Sequence, residues 1–185
     1  DVKPRTLLAE EVATLVDFAG MVDRELFLLS QNTTDELTQI SNRRGFQQIA
    51  RHVLALCART HKAAALIAID LNSFKNINDT LGHEAGDDVL RGFARLLMKH
   101  FRHSDVVARL GGDEFCVLTS AAKAAQMTDA VDRFRQTFAE SRLAAAYPNL
   151  GWSCGIAEFD PSSGHDIEQL LSEADDEMHA AKLQA

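Results

Sequence analysis

Three acidic side chains stand where a metal ion could bind. Asp70 directly follows a short apolar run, and Asp113 with Glu114 follow the glycine pair Gly111 and Gly112 between two further apolar runs. Carboxylates held close together repel each other unless a hard cation joins them, and Mg²⁺ bound to oxygen ligands and substrate phosphates is a common arrangement. Adjacent glycines permit positive φ and let a ligand approach backbone N–H groups. From this pattern alone, solvated turn residues and a loop cap at Asp70 are an equally good interpretation.

The apolar runs around these acids predict strands of a buried sheet. Residues 64–69 are an uncharged apolar run that ends at Asp70, and residues 152–159 predict a later strand. Residues 106–110 and 115–119 flank the glycine pair as the two arms of a hairpin. A polar loop is expected over residues 72–82. Asp70 would then stand at a strand end, beside the tip of the hairpin.

Apolar residues three and four apart predict helices between these strands. The predicted helices cover residues 42–62, the stretch from Gly82 to Phe101, residues 127–138 and residues 167–178. From the first strand onward the order is β-α-β-β-α-β followed by a terminal helix, which is the split, ferredoxin-like pattern of an α+β domain. We therefore expect a palm-type domain with an antiparallel central sheet and helices on one face.

The first thirty residues carry an apolar seam with alternating spacings of four and three. The seam consists of Leu8, Val12, Leu15, Ala19, Val22, Leu26 and Leu29. Such a seam predicts a dimerising coiled-coil stalk over residues 1–31, with the globular domain over residues 32–185. Apolar residues off the seam, such as Phe18 and Phe27, favour the alternative of one amphipathic helix packed on its own domain.

Composition excludes several classes of protein. The 185 residues are 46% hydrophobic and 25% charged, which suits one domain with an appendage and not a disordered chain or a disulfide scaffold. The net charge of -8 disfavours binding to nucleic acid. No apolar run approaches the roughly 20 residues of a membrane helix, and the three separated cysteines favour a reduced, cytoplasmic compartment. Because the chain begins at Asp1, we expect a part of a longer protein that could itself be membrane-anchored.

The residues around the acidic hairpin resemble the signature of the GGDEF family, the diguanylate cyclases. Residues 109–115 read R-L-G-G-D-E-F, while residues 35–46 resemble D-x-L-T-G-L-x-N-R-R-x-F and residues 70–79 resemble D-x-D-x-F-K-x-I-N-D. Ordered matches continue at residues 82–87, 153–157 and 174–182, so the resemblance covers almost everything from Asp35 to Lys182. Three positions depart from the family pattern, since Gln39 replaces a glycine, Asn72 an aspartate and His179 a tyrosine.

The resemblance implies a Mg²⁺-dependent enzyme, with Mn²⁺ as an alternative metal, that condenses two GTP into cyclic di-GMP and two pyrophosphates. Each of two facing protomers would hold one GTP. The implied metal ligands are Asp70, the backbone carbonyl of Leu71, Asp113 and Glu114. Asp113 and Glu114 would be catalytic together with Lys75, with Asp113 acting as metal ligand, proton acceptor or both.

The resemblance also implies where the nucleotide would bind. Asp87 with Asn78 would recognise the guanine edge, because its N1–H and N2–H₂ groups donate to a carboxylate and adenine has no N1–H. Lys182 would neutralise phosphate oxygens, as would Lys75. The expected substrate-binding residues are Phe74, Asn78, His83, Asp87, Gly111, Gly112 and Lys182.

A second site is implied by an R-x-x-D pattern ahead of the signature, formed by Arg102 and Asp105. Arg133 resembles an arginine that joins this site from a helix, often across a dimer, and bound product would then lower activity. The ordinary interpretation is a surface ion pair. Two functional alternatives also stay open: an inert receptor for cyclic di-GMP and a GTP-binding regulator without turnover. The expected partners are GTP, cyclic di-GMP, a second copy of the chain and an upstream sensory domain.

Overall fold

The structure, a computed structural model, describes Val12 and residues 33–120, 123–162 and 164–182. The predicted stalk over residues 1–31 lies outside the described residues except for Val12. The helices and strands are β1 (Ser41–Asn42), α1 (Arg43–Thr60), β2 (Ala64–Asn72), α2 (Phe74–Leu81), α3 (His83–His100), β3 (Val106–Gly111), β4 (Glu114–Ser120), α4 (Ala124–Ala139), α5 (Arg142–Ala146), β5 (Gly151–Phe159) and α6 (Ile167–Lys182). Among the helices described, none has both the length and the apolar character to cross a membrane.

Within the described ranges, five strands form one mixed sheet in the order β1-β3-β4-β2-β5. Strand β2 runs antiparallel to β4 on one side and to β5 on the other, while β3 runs antiparallel to β4. The short β1 adds a parallel edge beside β3. The order β3-β4-β2-β5 confirms the predicted ferredoxin-like, palm-type α+β fold.

The sheet buries apolar side chains on both of its faces. Odd-numbered residues of β2 pack against α3 and α4, with Ile67 and Phe93 fully buried there. Even-numbered residues pack against α1 and α6, with Leu66 and Phe46 fully buried. The expectation of helices on one face only was wrong, because residues 64–69 are apolar at every position and a strand of that kind needs cover on both sides.

The segment over residues 72–82, predicted as a polar loop, contains the helix α2. It begins after Ser73, whose φ is 61°, and ends before Gly82, whose φ is 87°. The buried residue of α2 is Ile77. With so few apolar positions, the sequence of this segment does not show the 3.6-residue repeat that predicts a helix. Strand β2 also continues past its predicted end to Asn72, because β5 pairs with it that far, and Asp70 therefore lies inside the strand.

Candidate active site

Asp70 and Glu114 occupy directly paired positions on the neighbouring antiparallel strands β2 and β4. Side chains at paired positions point to the same face of a sheet. Even-numbered residues of β2 face α1 and α6, so both carboxylates lie on that side. The site therefore stands at the end of the sheet where α1 begins and α6 ends.

Each of these carboxylates meets a cation from one of the two helices. Lys182, the last residue of α6, places Nζ 2.6 Å from Oδ1 of Asp70. Arg43, the first residue of α1, places a terminal guanidinium nitrogen 3.2 Å from Oε2 of Glu114. Arg43 also donates Nε to the carbonyl of Leu110 at 3.0 Å. Neither cation had been predicted to pair with these carboxylates, which the resemblance assigned to a metal: Lys182 was expected at a phosphate, and Arg43 had no assigned role.

The donor set around Asp70 and Glu114 fits a divalent cation that arrives with other ligands. In the part of the chain that the structure describes, no three His, Cys, Asp or Glu side chains are grouped so that they could hold a metal ion. The predicted convergence of three carboxylates is therefore not observed. Asp113 lies in the turn before β4, where its backbone carbonyl accepts from the N–H of Leu71 at 3.2 Å. Mg²⁺ commonly binds through one or two carboxylates and completes its shell with water and phosphate oxygens, which the Asp70 and Glu114 carboxylates would allow.

Arg109 holds the turn between β3 and β4 through its guanidinium group. Gly111 and Gly112 have φ of 155° and 50°, which side chains with a Cβ disfavour. Arg109 donates Nε and one terminal nitrogen to the carbonyl of Gly112 at 3.0 and 2.8 Å. Its other terminal nitrogen lies 3.2 Å from each carboxylate oxygen of Asp35. One guanidinium thus links the segment before β1 to the turn that carries Asp113.

Local hydrogen bonds hold Asp35 as a carboxylate. Thr38 donates its N–H and its hydroxyl to Oδ1 of Asp35 at 2.8 and 2.6 Å. Burial raises the pKa of Asp35, but the hydrogen bonds from Thr38 and the charge and hydrogen bond of Arg109 outweigh it, so the pKa lies below its ordinary value. The i, i+3 spacing of Asp35 and Thr38 is a local turn signal. Asp35 and Arg109 are 74 positions apart in the sequence, so no local sequence pattern predicts their contact.

The expected guanine-binding residues lie where α2 packs on α3. Gly86 is buried in α3, and a Cβ at this position would lie 2.0 Å from Oδ1 of Asn78. Because Gly86 has no side chain, Asn78 can lie directly against α3. Asp87 follows Gly86 and has Oδ2 3.5 Å from a guanidinium nitrogen of Arg91. The other residues predicted here are Phe74, which is partly buried against the core, and the exposed Lys75 and His83.

Arg102, Asp105 and Arg133 line one cavity of about 310 Å³. The N–H of Arg102 donates to Oδ2 of Asp105 at 2.9 Å. Burial raises the pKa of Asp105, and the hydrogen bond and charge of Arg102 oppose that shift only in part. Arg133 joins the two from α4 of the same chain, as do Gln126 and Asp129, which the sequence had not indicated. A cavity lined by two arginines and a carboxylate suits a ligand with both phosphate and guanine groups.

Residues 32–185 match the sequence model of the family described as "Diguanylate cyclase, GGDEF domain". The chain belongs to this GGDEF family. Over 156 residues it is 36% identical to the probable diguanylate cyclase DgcC of Escherichia coli K12, which covers 82% of this chain and 41% of that relative. Over 152 residues it is 36% identical to the diguanylate cyclase DosC of the same strain, covering 80% of this chain and 32% of that relative. The chain therefore spans less than half the length of these curated relatives.

Solved GGDEF structures confirm the fold. The coiled coil and GGDEF domain of DgcB from Caulobacter crescentus, in complex with c-di-GMP, superposes with a TM-score of 0.77 at 27% identity and covers 94% of each chain. The isolated GGDEF domain of YfiN from Pseudomonas aeruginosa superposes with a TM-score of 0.74 at 36% identity, covering 82% of this chain and 90% of that one. The mixed sheet flanked by helices is thus the GGDEF architecture.

One further acid of this GGDEF domain lies among the charges of the site. Burial raises the pKa of Asp175 on α6, and the positive charges of His179 and Arg43 oppose that shift. The negative charges of Asp176 and Asp70 add to the rise. Asp175 belongs to a segment that resembled the family pattern, but the sequence assigned it no role.

Proposed function

We propose that this GGDEF domain is a diguanylate cyclase that condenses two GTP into cyclic di-GMP and two pyrophosphates, working as a dimer. The observation that carries the proposal is the paired placement of Asp70 and Glu114 at the end of the sheet, next to the two-glycine turn. The curated relatives named as diguanylate cyclases support the same reaction class.

Asp70, Glu114 and the carbonyl of Leu71 would hold Mg²⁺ or Mn²⁺ with the nucleotide. A divalent cation supplies charge that polarises phosphoryl oxygens and lowers the barrier to attack. Asp113 would accept the proton of the attacking hydroxyl or add a further ligand. Lys75 at the start of α2 and Lys182 at the end of α6 would neutralise phosphate oxygens as point charges.

The reaction requires two bound nucleotides in opposed positions. The 3′-oxygen of each GTP forms a bond to the α-phosphorus of the other, the bond from that phosphorus to pyrophosphate breaks, and the hydroxyl proton passes to a carboxylate. Because each half-site would hold one GTP through Asp87 and Asn78, two chains have to face each other. Positioning then supplies most of the rate enhancement.

The cavity lined by Arg102, Asp105 and Arg133 is proposed as a product site, where bound cyclic di-GMP inhibits the enzyme. Its two guanidinium groups and the c-di-GMP complex of DgcB support this assignment. In a longer protein, the predicted stalk over residues 1–31 would pass a signal from a sensory domain to the dimer. The stalk and the cytoplasmic location stay predictions.

A second candidate is a catalytically inert receptor that binds cyclic di-GMP. The cavity of about 310 Å³ favours it, because that pocket can bind a ligand whether or not the carboxylates turn over GTP. The two candidates differ in what Glu114 does. In a cyclase it is essential for the reaction, whereas in a receptor it has no part in binding the product.

The test compares wild type with Glu114→Gln and with Glu140→Gln, an exposed carboxylate at the end of α4. We expect Glu114→Gln to lower cyclic di-GMP formation from GTP by at least about a hundredfold, since one catalytic electrostatic contact is commonly worth that much. Its affinity for cyclic di-GMP, measured by calorimetry, should equal that of wild type and of Glu140→Gln. A wild type that binds cyclic di-GMP but forms none would refute the cyclase and support the receptor.

A further inference from the structure

Both carboxylates proposed to hold the metal already have a side-chain cation. Lys182 places its ammonium 2.6 Å from Asp70, and Arg43 places its guanidinium 3.2 Å from Glu114. The Asp70 and Lys182 side chains are only 24% and 31% exposed, whereas Arg43 and Glu114 are 53% exposed each. Water therefore screens the second ion pair more than the first.

The two cations are held in different ways. Arg43 is anchored, because its Nε also donates to the carbonyl of Leu110 at 3.0 Å and its planar group fixes both contacts at once. Lys182 contacts Asp70 through one ammonium group on a flexible four-carbon stem, and it is the last residue of α6. Of these two cations, Lys182 is the one that can change partner without moving a strand or a helix.

We infer that Lys182 is the counter-ion of Asp70 in the nucleotide-free domain, and that it leaves Asp70 when a metal-bound nucleoside triphosphate enters. The inference rests on the proposed function, because it concerns the same carboxylate. A divalent cation alone has to displace the ammonium from Asp70 without offering it another anion. A triphosphate offers that anion, so the domain takes up metal together with nucleotide and binds either one poorly by itself.

The charges around Asp70 support this exchange. Burial raises the pKa of Asp175, the positive charges of His179 and Arg43 oppose that rise, and the negative charges of Asp176 and Asp70 add to it. The Asp70 side chain is only 24% exposed, so its carboxylate is costly to leave without a counter-ion. Lys182 is that counter-ion before the metal binds, and its ammonium can then contact the phosphates of the metal-bound nucleotide.

The experiment measures Mn²⁺ binding without nucleotide, by electron paramagnetic resonance, on the full chain. The neutral variants are Lys182→Met and Lys182→Gln, the charge-conserving variant is Lys182→Arg, and the matched control is Lys99→Met on the exposed end of α3. We expect both neutral variants to bind Mn²⁺ roughly fivefold more tightly than wild type, since a competing ion pair of this exposure is worth about that factor. Lys182→Arg and Lys99→Met should match wild type.

A second titration uses 3′-deoxy-GTP, which has no attacking hydroxyl. At saturating Mg²⁺, the neutral variants should bind this analogue about tenfold more weakly than wild type, because the charge-assisted contact of Lys182 to phosphate is lost. Opposite changes in metal and nucleotide affinity distinguish the exchange from a loss of folding, which would weaken both.

Equal Mn²⁺ affinity in wild type and both neutral variants would overturn the inference and leave the cyclase proposal intact, provided that wild type binds Mn²⁺ with the analogue. If wild type binds no Mn²⁺ even with the analogue, the metal site itself is wrong and both proposals fall. Circular dichroism of each variant establishes that the comparison is between folded chains.

Discussion

Asp35→Asn removes the charge that Arg109 meets while keeping the size of the side chain. The two side chains are 22% and 15% exposed, so the pair lies between a surface and a buried ion pair. Exposed pairs contribute about 1 kcal/mol or less, while leaving one partner of a buried pair alone costs about 3 to 5 kcal/mol. We therefore expect the substitution to lower the free energy of unfolding by about 2 kcal/mol, or roughly 4 to 8 °C of melting temperature.

The pH dependence of this loss follows from the lowered pKa of Asp35, whose ordinary value is 3.8. A carboxylate whose pKa is lower in the folded state stabilises the fold above its unfolded pKa, and the stabilisation is lost as the pH falls through the folded pKa. The difference between wild type and Asp35→Asn should therefore be constant from about pH 7 to about pH 5, and should shrink below about pH 4.

Urea unfolding followed by far-ultraviolet circular dichroism measures this difference at each pH. Glu36→Gln is the matched control, since Glu36 is an exposed neighbouring carboxylate and should change stability by less than about 0.5 kcal/mol. An Asp35→Asn chain as stable as wild type at neutral pH would refute the coupling of Asp35 to Arg109. A loss that stays the same at every pH would refute the role of the charge.

Three further substitutions test particular contacts. Gln39 has φ of 60°, so Gln39→Gly should raise the free energy of urea unfolding by about 0.5 to 1 kcal/mol, and a destabilised variant would contradict the strain. Gly86→Ala should displace Asn78 and weaken GTP binding about tenfold in calorimetry. The melting temperature should stay within a few degrees, since Ala favours the helix. Unchanged GTP affinity would contradict this placement of Asn78. Arg102→Ala should weaken cyclic di-GMP binding about tenfold and relieve inhibition by the product. Inhibition equal to that of wild type would exclude the cavity lined by Arg102, Asp105 and Arg133 as the product site.

The strand and helix order could be predicted because it depends on local periodicity. The apolar run before Asp70 and the hairpin around Gly111 and Gly112 specified three adjacent strands of the sheet, and the register then placed Glu114 opposite Asp70. Helix α2 was missed because one buried residue, Ile77, is too little for a period of 3.6 to be visible.

The ion pairs of the candidate site could not be predicted in the same way. Asp70 and Lys182 are 112 positions apart, and Arg43 and Glu114 are 71 apart, so only the packing of α1 and α6 on the sheet brings them together. The family resemblance named Lys182 for its part in the nucleotide complex. Its contact with Asp70 in the free domain is a property of the folded chain.

The most direct test of the proposed cyclase is a turnover measurement on the chain stripped of bound nucleotide. The protein is incubated with Mg²⁺ and GTP over a series of protein concentrations, and the products are identified by mass. Two facing half-sites predict cyclic di-GMP at a rate that rises faster than linearly with protein concentration until the dimer is saturated. Absence of cyclic di-GMP at every concentration, from a chain that binds both GTP and cyclic di-GMP, would contradict the proposal.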